Sequence, residues 1–170
     1  AAAADGRWIV FDKALGRQHA QQTLHVTRRS QFSSLLSASS AGQALFRENW
    51  VVEEQDVEVR TLDEMLPEID ARCPLPDRLA LKLDTQGYDL EVLAGAANTI
   101  RRVDVLQMEL SFRPIYQSMP DFMESLDICR RLGFLPAMFQ PVSRAVDDTL
   151  IEADCLLTRA TPQADEAEAS

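Results

Sequence analysis

Glycine is scarce in this sequence, with six glycines among 170 residues. None of them stands in the GxGxxG or GxxxxGK spacing by which glycine-rich loops hold the phosphates of nucleotides. The sequence therefore supports neither a dinucleotide-binding cradle nor a kinase-type phosphate loop.

Cysteine and histidine are also few. Cys73, Cys129 and Cys155 are odd in number and widely spaced, which fits neither a disulfide framework nor a CxxC metal site. We expect reduced, mostly buried thiols in a cytoplasmic protein. His19 and His25 have no third ligand at a useful spacing, so the sequence predicts no metal site.

Basic residues are outnumbered by acidic ones. There are 17 Lys and Arg against 27 Asp and Glu, which gives a formal charge of -10. Such a charge repels nucleic-acid phosphates and anionic lipid headgroups. No apolar run approaches the roughly 18 residues needed to span a bilayer, and residues 1–7 lack the basic and apolar regions of a signal peptide. We therefore expect neither nucleic acid nor a membrane among the partners.

Low complexity is confined to the two ends of the chain. Residues 1–7 and the acidic tail at residues 160–170 are predicted to be disordered. The remaining residues, 8–159, have the length of one domain, at about 150 residues per domain. With 46% hydrophobic residues, a chain of this size can build a core without disulfides or a structural metal.

The first part of the chain alternates between extended segments and a serine-rich loop. Alternating apolar residues predict strands over residues 8–14, 23–27 and 57–60. Residues 30–42 carry several serines and are predicted to form a loop, with at most a short helical turn. Loops of this length are often functional.

A helix is predicted to begin after Thr61. Thr61 and Glu64 have the spacing of a capping box, in which each side chain accepts a hydrogen bond from the backbone of the other residue. Pro67 is poorly tolerated beyond the first turn, so this helix is predicted to be short. Residues 79–83 form an almost unbroken apolar run, typical of a strand that is buried on both faces.

From Tyr88 onward the apolar period changes to 3.6, which predicts an amphipathic helix ending near Arg102. An apolar strand over residues 103–112 and a second helix over residues 120–132 follow. A succession of strand, helix, strand, helix and strand is typical of parallel sheets with helical crossovers. The sequence thus predicts an α/β fold with a mostly parallel, doubly wound sheet.

The last two predicted strands lie at residues 134–139 and 154–158. The segment between them is rich in turn residues and has no helical pattern, so it offers no crossover for a parallel pair. We expect these strands to form an antiparallel hairpin at one edge of the sheet.

Two acidic residues lie near the ends of predicted strands, where open α/β sheets bind their ligands. Asp84 closes the strand at residues 79–83, and Glu109 lies near the end of the next strand. Neighbouring parallel strands are about 4.8 Å apart, so both carboxylates could face one crevice. There they could orient a hydroxyl group, accept its proton or hold a divalent cation. In the alternative interpretation, Asp84 caps the next helix or turn and Glu109 pairs with an arginine.

Other residues near these strand ends also have structural interpretations. Asp89 begins the predicted helix, where a negative charge suits the helix dipole. Gly87 permits a tight turn, and Tyr116 either lines a pocket or packs on its own loop. Ser33 and Ser34 stand in no GxSxG elbow, so a serine hydrolase is not predicted.

A series of short segments has the order and spacing of a known family over residues 8–159. The most specific is a Lys-x-Asp-x-x-Gly-x-acid block at residues 82–89, followed by Val-Leu-x-Gly-Ala at residues 92–96. The other segments are Ala14-Leu15-Gly16, Ser33-Ser34-Leu35-Leu36, Val59-Arg60-Thr61-Leu62-Asp63 and Glu109. Together they resemble the FkbM-type methyltransferases, which are class I O-methyltransferases that use S-adenosylmethionine.

This resemblance implies a Rossmann-like class I methyltransferase fold. It also implies transfer of a methyl group from S-adenosylmethionine to a hydroxyl group of a small metabolite or sugar. Asp84 and Glu109 would be the catalytic residues. The resemblance assigns cofactor contacts to Ala14, Leu15, Ser33 and Ser34, and acceptor contacts to Gly87, Asp89 and Tyr116. Whether the chain forms a homo-oligomer is left open.

The sequence also departs from the family pattern. Asp89 stands where the family usually has Glu, and Tyr88 replaces a usual small residue. The family's glycine-rich turn after the first strand and its acidic residue after the second are not found in this sequence. We therefore expect the match to cover the carboxyl-terminal two thirds of the domain, without the first strands of the fold, and an upstream portion to exist. On this expectation the 170 residues alone bind the cofactor weakly or not at all and could be inactive.

The missing cofactor-binding segments support a second hypothesis from another functional class. A non-catalytic α/β module, derived from a methyltransferase, would bind a protein partner through its uncovered sheet edge or crevice. The acidic residues at the strand ends favour the enzyme, because a purely structural descendant has no need for charges in a crevice.

Overall fold

The computed structural model describes residues 8–47 and 51–160. The predicted disordered start, and all of the predicted acidic tail except Ala160, lie outside the described residues. Within these residues, 3-10 helices lie at Ser30–Phe32 and Thr99–Arg102. The four α-helices of the described part are α1 Ser40–Leu45, α2 Leu62–Arg72, α3 Asp89–Ala94 and α4 Phe122–Arg131. The strands are β1 Ala14–Leu15, β2 Ala20–Thr27, β3 Val51–Arg60, β4 Leu79–Lys82, β5 Val103–Ser111, β6 Phe134–Arg144 and β7 Leu150–Arg159.

The strands form two sheets, with the orders β1-β3-β2 and β4-β5-β7-β6. The first sheet joins β1 and β3 in parallel and β2 and β3 antiparallel. In the second sheet β4 and β5 are parallel, whereas β7 is antiparallel to both of its neighbours. The predicted α/β class and the antiparallel edge hairpin are confirmed.

The predicted single, mostly parallel sheet is not what the described residues form. Helix α4 carries the chain from β5 to β6, which runs in the same direction as β5. Strand β7 then inserts between them and pairs with both strands in the antiparallel sense. Two consecutive strands become parallel neighbours when a crossover connection places them side by side. In the second sheet, among the described strands, β4 and β5 alone are connected by such a crossover.

The core lies between the second sheet and its helices. One face of β5 buries Leu106, Met108 and Leu110, which share a single apolar cluster with Val92 of α3 and Cys129 of α4. The alternate residues of β5 and β7 point to the opposite face, because successive side chains of a strand alternate. That second face carries the acidic groups described below.

Two helices have different lengths from those predicted. Helix α2 continues through Pro67 to Arg72. Helix α3 ends at Ala94 instead of near Arg102, because the chain turns at Gly95. A Cβ atom at Gly95 would lie 2.0 Å from the carbonyl oxygen of Gly16, so this close backbone contact requires glycine at the end of the helix.

Strands β1 and β4 also differ from the predictions. The strand predicted from Trp8 is regular only at Ala14 and Leu15, and Trp8 is exposed. Strand β4 alternates between half-buried and exposed residues, with Lys82 exposed, instead of being buried on both faces. The reason is that, among the described strands, β4 stands at the edge of its sheet and pairs with β5 alone.

The cysteines are free, and Cys129 and Cys155 are buried whereas Cys73 is exposed. Cys129 packs against Met108, with 3.4 Å between the two sulfur atoms, as expected for a thiol that fills the core. No helix among residues 8–47 and 51–160 is long and apolar enough to cross a membrane.

Candidate functional site

The two candidate catalytic acids are joined by one glutamine side chain. Asp84 follows β4, Glu109 lies in β5, and the parallel pairing of these strands brings them to the same edge. The Nε2 atom of Gln86 donates hydrogen bonds to Asp84 Oδ1, at 3.3 Å, and to Glu109 Oε2, at 3.1 Å. The Nζ atom of Lys82 lies 3.1 Å from the other oxygen of Asp84. Asp84 therefore accepts from a glutamine side chain of the following turn and pairs with a lysine, instead of capping the backbone of the next helix or turn.

Gln86 is held by the turn between β4 and α3. Gln86 has φ 53° and Gly87 has φ 87°, so both adopt the left-handed backbone that favours glycine. The hydroxyl of Ser34 donates to the carbonyl oxygen of Gln86 at 2.8 Å. The hydroxyl of Tyr116 lies 2.8 Å from Gln86 Oε1 and 3.0 Å from the carbonyl oxygen of Phe32, and it can donate its proton to either. These contacts fix the amide that bridges the acids.

A second pair of acids lies next to Glu109 on β7. Asp154 stands directly opposite Glu109, and Glu152 stands opposite Ser111, so all of these side chains share one face of the sheet. Glu152 is only 3% exposed, and the hydroxyl of Ser143 donates to its Oε2 at 3.0 Å. The resulting acidic face consists of Asp84, Glu109, Glu152 and Asp154.

The acidic face raises the affinity of its own members for protons. Burial, together with the neighbouring charges of Glu152, Asp84 and Asp154, raises the pKa of Glu109 to about 8. Burial likewise raises the pKa of Glu152, which shares a hydrogen bond with Glu109. Two buried carboxyl groups in contact cannot both ionise cheaply, so a proton is held on this pair at neutral pH.

Asp89, a predicted acceptor contact, is engaged by its own turn. It is buried, and its Oδ1 accepts hydrogen bonds from the backbone N–H of Thr85, at 3.0 Å, and from the Thr85 hydroxyl. Burial raises the pKa of Asp89 in spite of these bonds. This carboxyl shapes the loop that presents Gln86.

The four predicted cofactor contacts lie in and beside the first sheet. Ala14 and Leu15 form β1 and pair with β3. The Ser33 hydroxyl accepts from the backbone N–H of Thr27 at 3.1 Å. The Ser34 hydroxyl accepts from the backbone N–H of Leu36 at 3.0 Å, in addition to its bond to Gln86. The serine hydroxyls are thus engaged within the chain, and the cofactor role of these residues stays a prediction.

Two cavities flank the turn that carries Gln86. The first, of about 480 Å³, is lined by Ser34 and Tyr116, both of which bond to Gln86. The second, of about 450 Å³, is lined by Gly87 and the start of α3. Asp84 and Glu109 line neither cavity, because they lie on the open face of the sheet. Tyr116 and Gly87 are thus the predicted acceptor contacts that border a cavity.

Sequence reasoning missed Gln86, Glu152 and Asp154. The two acids alternate with Ala153 on β7, and this period of two was a usable signal that they share a face. No comparable signal marked Gln86, since its role depends on a left-handed turn and on three long-range contacts. Within residues 8–47 and 51–160 no group of three or more His, Cys, Asp or Glu side chains is arranged to hold a metal ion.

A family model described as Methyltransferase FkbM domain matches residues 10–136 of the chain. This match covers most of the sequence, including β4, β5 and the turn that holds Gln86. No curated protein and no solved structure matches the chain.

Proposed function

Because the chain belongs to the FkbM methyltransferase family, we propose that it transfers a methyl group from S-adenosylmethionine to a hydroxyl group of a small metabolite or sugar. The observation that supports this proposal is the acidic pair Asp84 and Glu109, bridged by the amide of Gln86 at the end of two parallel strands. A hydroxyl acceptor needs a group that orients it and removes its proton during transfer.

The charge of the acidic face suits the proposed cofactor. S-adenosylmethionine supplies an electrophilic methyl group on a positively charged sulfonium. Besides burial and Glu152, the carboxylates of Asp84 and Asp154 raise the pKa of Glu109, and the same negative potential would favour a neighbouring cation. This electrostatic fit concerns the sulfonium end of the cofactor. For the rest of the cofactor we retain Ala14, Leu15, Ser33 and Ser34 as proposed contacts.

Glu109 is the proposed proton acceptor. A pKa of about 8 places its ionisation close to working pH, where a general base is most effective. Asp84 is half exposed and accepts from Lys82 and Gln86, so it is suited to orient the acceptor hydroxyl. Gln86 and Tyr116 are positioning residues for this pair, and Gly87 and Asp89 complete the proposed acceptor side.

The proposal is tested with the intact chain in two assays. Calorimetric titration measures binding of S-adenosylmethionine and S-adenosylhomocysteine. Transfer of a radiolabelled methyl group to a panel of sugars, alcohols and phenols measures the reaction. We expect weak binding, slow labelling of a hydroxyl compound, and a rate that rises with pH toward about 8 as Glu109 ionises.

The variants Asp84→Asn and Glu109→Gln should lower the transfer rate by a factor of about 10² or more, the usual contribution of a general base. Asp77→Asn is the matched control, since Asp77 is an exposed acid that precedes β4 whereas Asp84 follows it. If the chain binds neither ligand at millimolar concentration, the methyltransferase proposal is wrong.

A second candidate function is favoured by the open face of the second sheet. Leu135 and Met138 of β6 lie on this face and are about half exposed, at 50% and 51%. A non-catalytic module would use such a face to bind a protein partner. The same titration separates the two functions, because only the methyltransferase needs S-adenosylmethionine. A cytoplasmic location and a homo-oligomer stay predictions.

A further inference from the structure

Three side chains outside the acidic face have the arrangement of a nucleophile, a base and an acid. The hydroxyl oxygen of Ser37 lies 3.3 Å from Nε2 of His25. On the other side of the ring, Nδ1 of His25 lies 3.3 Å from Oε1 of Glu54. All three residues line the cavity of about 480 Å³. Each ring nitrogen therefore faces the partner that the mechanism of a serine nucleophile requires.

The backbone holds these residues in place. His25 and Glu54 are direct cross-strand partners in the β2 and β3 pair. The backbone N–H of His25 donates to Ser34 at 2.9 Å, which ties the serine loop to β2. The N–H of Gln117 donates to the carbonyl oxygen of Ser37 at 2.8 Å, so the loop is also tied to the segment after β5. These backbone bonds place the Cα atoms of His25 and Glu54 side by side and hold Ser37 near them, and the His25 side chain, 21% exposed, lies between the other two side chains.

The position of Glu54 selects the useful tautomer of His25. A carboxylate can only accept a hydrogen bond, so its position beside Nδ1 favours the form with the proton on Nδ1. Nε2 is then an acceptor and receives the hydrogen bond of the Ser37 hydroxyl. This is the state in which an imidazole can remove the hydroxyl proton.

The cavity offers room and chemistry for a small substrate. Its apolar wall includes Phe32 and Phe46, whose ring centroids are 4.9 Å apart, together with Ile115. Gln43 lines the same cavity and carries a side-chain amide, as does Gln117, whose Nε2 already donates to the carbonyl oxygen of Ala38 at 3.3 Å. Amide N–H groups are donors that can stabilise the oxyanion of an acyl-transfer intermediate.

We propose that Ser37, His25 and Glu54 form a nucleophilic triad that hydrolyses small carboxylic esters with an apolar acyl group. The Ser37 oxygen forms a bond to the acyl carbon, and the ester C–O bond breaks. The hydroxyl proton passes to Nε2 of His25 and then to the leaving alkoxide. Water, deprotonated by His25, then attacks the acyl-enzyme, releases the carboxylic acid and returns the proton to Ser37.

This activity is independent of the proposed methyl transfer. It requires neither Asp84 nor Glu109 and no cofactor, so the failure of either activity leaves the other unaffected. The absence of a GxSxG elbow is no obstacle, because the triad is recognised by geometry and not by the local sequence.

The test uses the intact chain with two probes, p-nitrophenyl butyrate as a substrate and a fluorophosphonate as a covalent label. We expect ester hydrolysis and a single label that mass spectrometry locates on the peptide containing Ser37. The variant Ser37→Ala should abolish labelling, and His25→Gln should slow labelling by a factor of about 10² or more. Absence of labelling in the unmodified chain, or labelling that persists in Ser37→Ala, would overturn the proposal.

Matched variants separate the triad from a surface ion pair. Ser40→Ala removes a nearby exposed serine, and His19→Gln removes the other histidine, whose Nε2 lies 3.4 Å from Glu58. Both variants should label at the rate of the unmodified chain. Glu54 is a positioning residue, so Glu54→Asp should keep more of the labelling rate than Glu54→Gln. Equal rates for these two variants would remove Glu54 from the triad.

Discussion

At the scale of single residues, Glu109 makes the stability of the protein depend on pH. Its pKa of about 8 in the folded chain lies well above the ordinary value of 4.5. Between these values the folded state binds more protons than the unfolded state, so the free energy of unfolding falls as pH rises. The contribution of Glu109 to the free energy of unfolding is fully present below about pH 4.5. It decreases as the pH rises and is lost once the pH exceeds about 8.

The variant Glu109→Gln should therefore match the unmodified chain at about pH 4 and be more stable at pH 8.5. We expect a gain on the order of 2 kcal/mol, which is well below the full shift because the carboxyl is partly exposed. Urea unfolding at the two pH values measures this difference. Glu53→Gln, on the exposed part of β3, is the control and should follow the unmodified chain. If the free energy of unfolding changes with pH in the same way for Glu109→Gln and for the unmodified chain, the raised pKa does not belong to Glu109.

The sequence predicts some residues of the candidate site and not others. Asp84 and Glu109 were predicted to share a crevice because the charge of each stands near the end of an apolar run. Gln86 was not predicted, because it is neutral and its backbone geometry depends on the turn into α3. Ser37, His25 and Glu54 are three unremarkable polar residues in sequence, and only the pairing of β2 with β3 and the loop contacts brings them together.

At the scale of elements, α2 contains a residue that opposes its own helix. Pro67 is the sixth residue of α2, where it lacks the N–H that would bond to the carbonyl of Asp63 and its ring crowds that group. The helix persists because Thr61 and Glu64 form the predicted capping box, with both bonds at 3.1 Å. The carboxylate of Asp63 also holds the backbone N–H of Thr99 at 2.7 Å.

The substitution Pro67→Ala should therefore raise the free energy of unfolding by about 1–3 kcal/mol, because alanine restores the donor and removes the crowding. The gain is partly offset by the greater conformational freedom of the unfolded chain. Chemical denaturation measures the change. Pro74→Ala, in the connector after α2, is the control and should give no such gain. A lower denaturation midpoint for Pro67→Ala would show that the helix depends on its proline.

The elements that were predicted well are those whose signal is local. β5, α4 and the β6–β7 hairpin follow from apolar periodicity, from Gly133 after the second helix and from the turn-rich connection. The end of α3 was predicted wrongly because the apolar period of 3.6 continues past Ala94 into the 3-10 helix at Thr99–Arg102. Leu93 and Ile100 are both buried, as the period of 3.6 predicted, even though the helix between them is broken.

At the scale of the whole molecule, the sheet order could not be predicted from the sequence. Apolar runs indicate that strands exist, but they do not determine which strands become neighbours. The insertion of β7 between β5 and β6 depends on pairing over a long sequence separation. This insertion has a direct consequence for the site, because β7 brings Glu152 and Asp154 beside Glu109 and produces the acidic face.

The excess of acidic residues should also affect the stability of the molecule as a whole. A formal charge of -10 is distributed over a small chain, and four of the acids lie on one face. Repulsion between like charges destabilises the compact state, and dissolved salt screens it. Salt also weakens attractive pairs such as Arg17 and Glu91, whose atoms lie 2.9 Å apart, so the two effects oppose each other. Exposed ion pairs contribute little, so we expect the repulsion to dominate.

Raising sodium chloride from about 0.02 M to about 0.3 M shortens the screening length from roughly 20 Å to roughly 6 Å. We expect the free energy of unfolding to rise by up to about 1 kcal/mol, the scale of interactions between exposed charges. Thermal unfolding at a series of salt concentrations measures this rise. The variant Asp154→Asn removes one charge of the acidic face and should show a smaller rise than the control Asp77→Asn. If the free energy of unfolding instead falls as salt is added, attractive ion pairs contribute more to stability than repulsion removes. The acidic face would then destabilise the folded state less than the closeness of its carboxyl groups indicates.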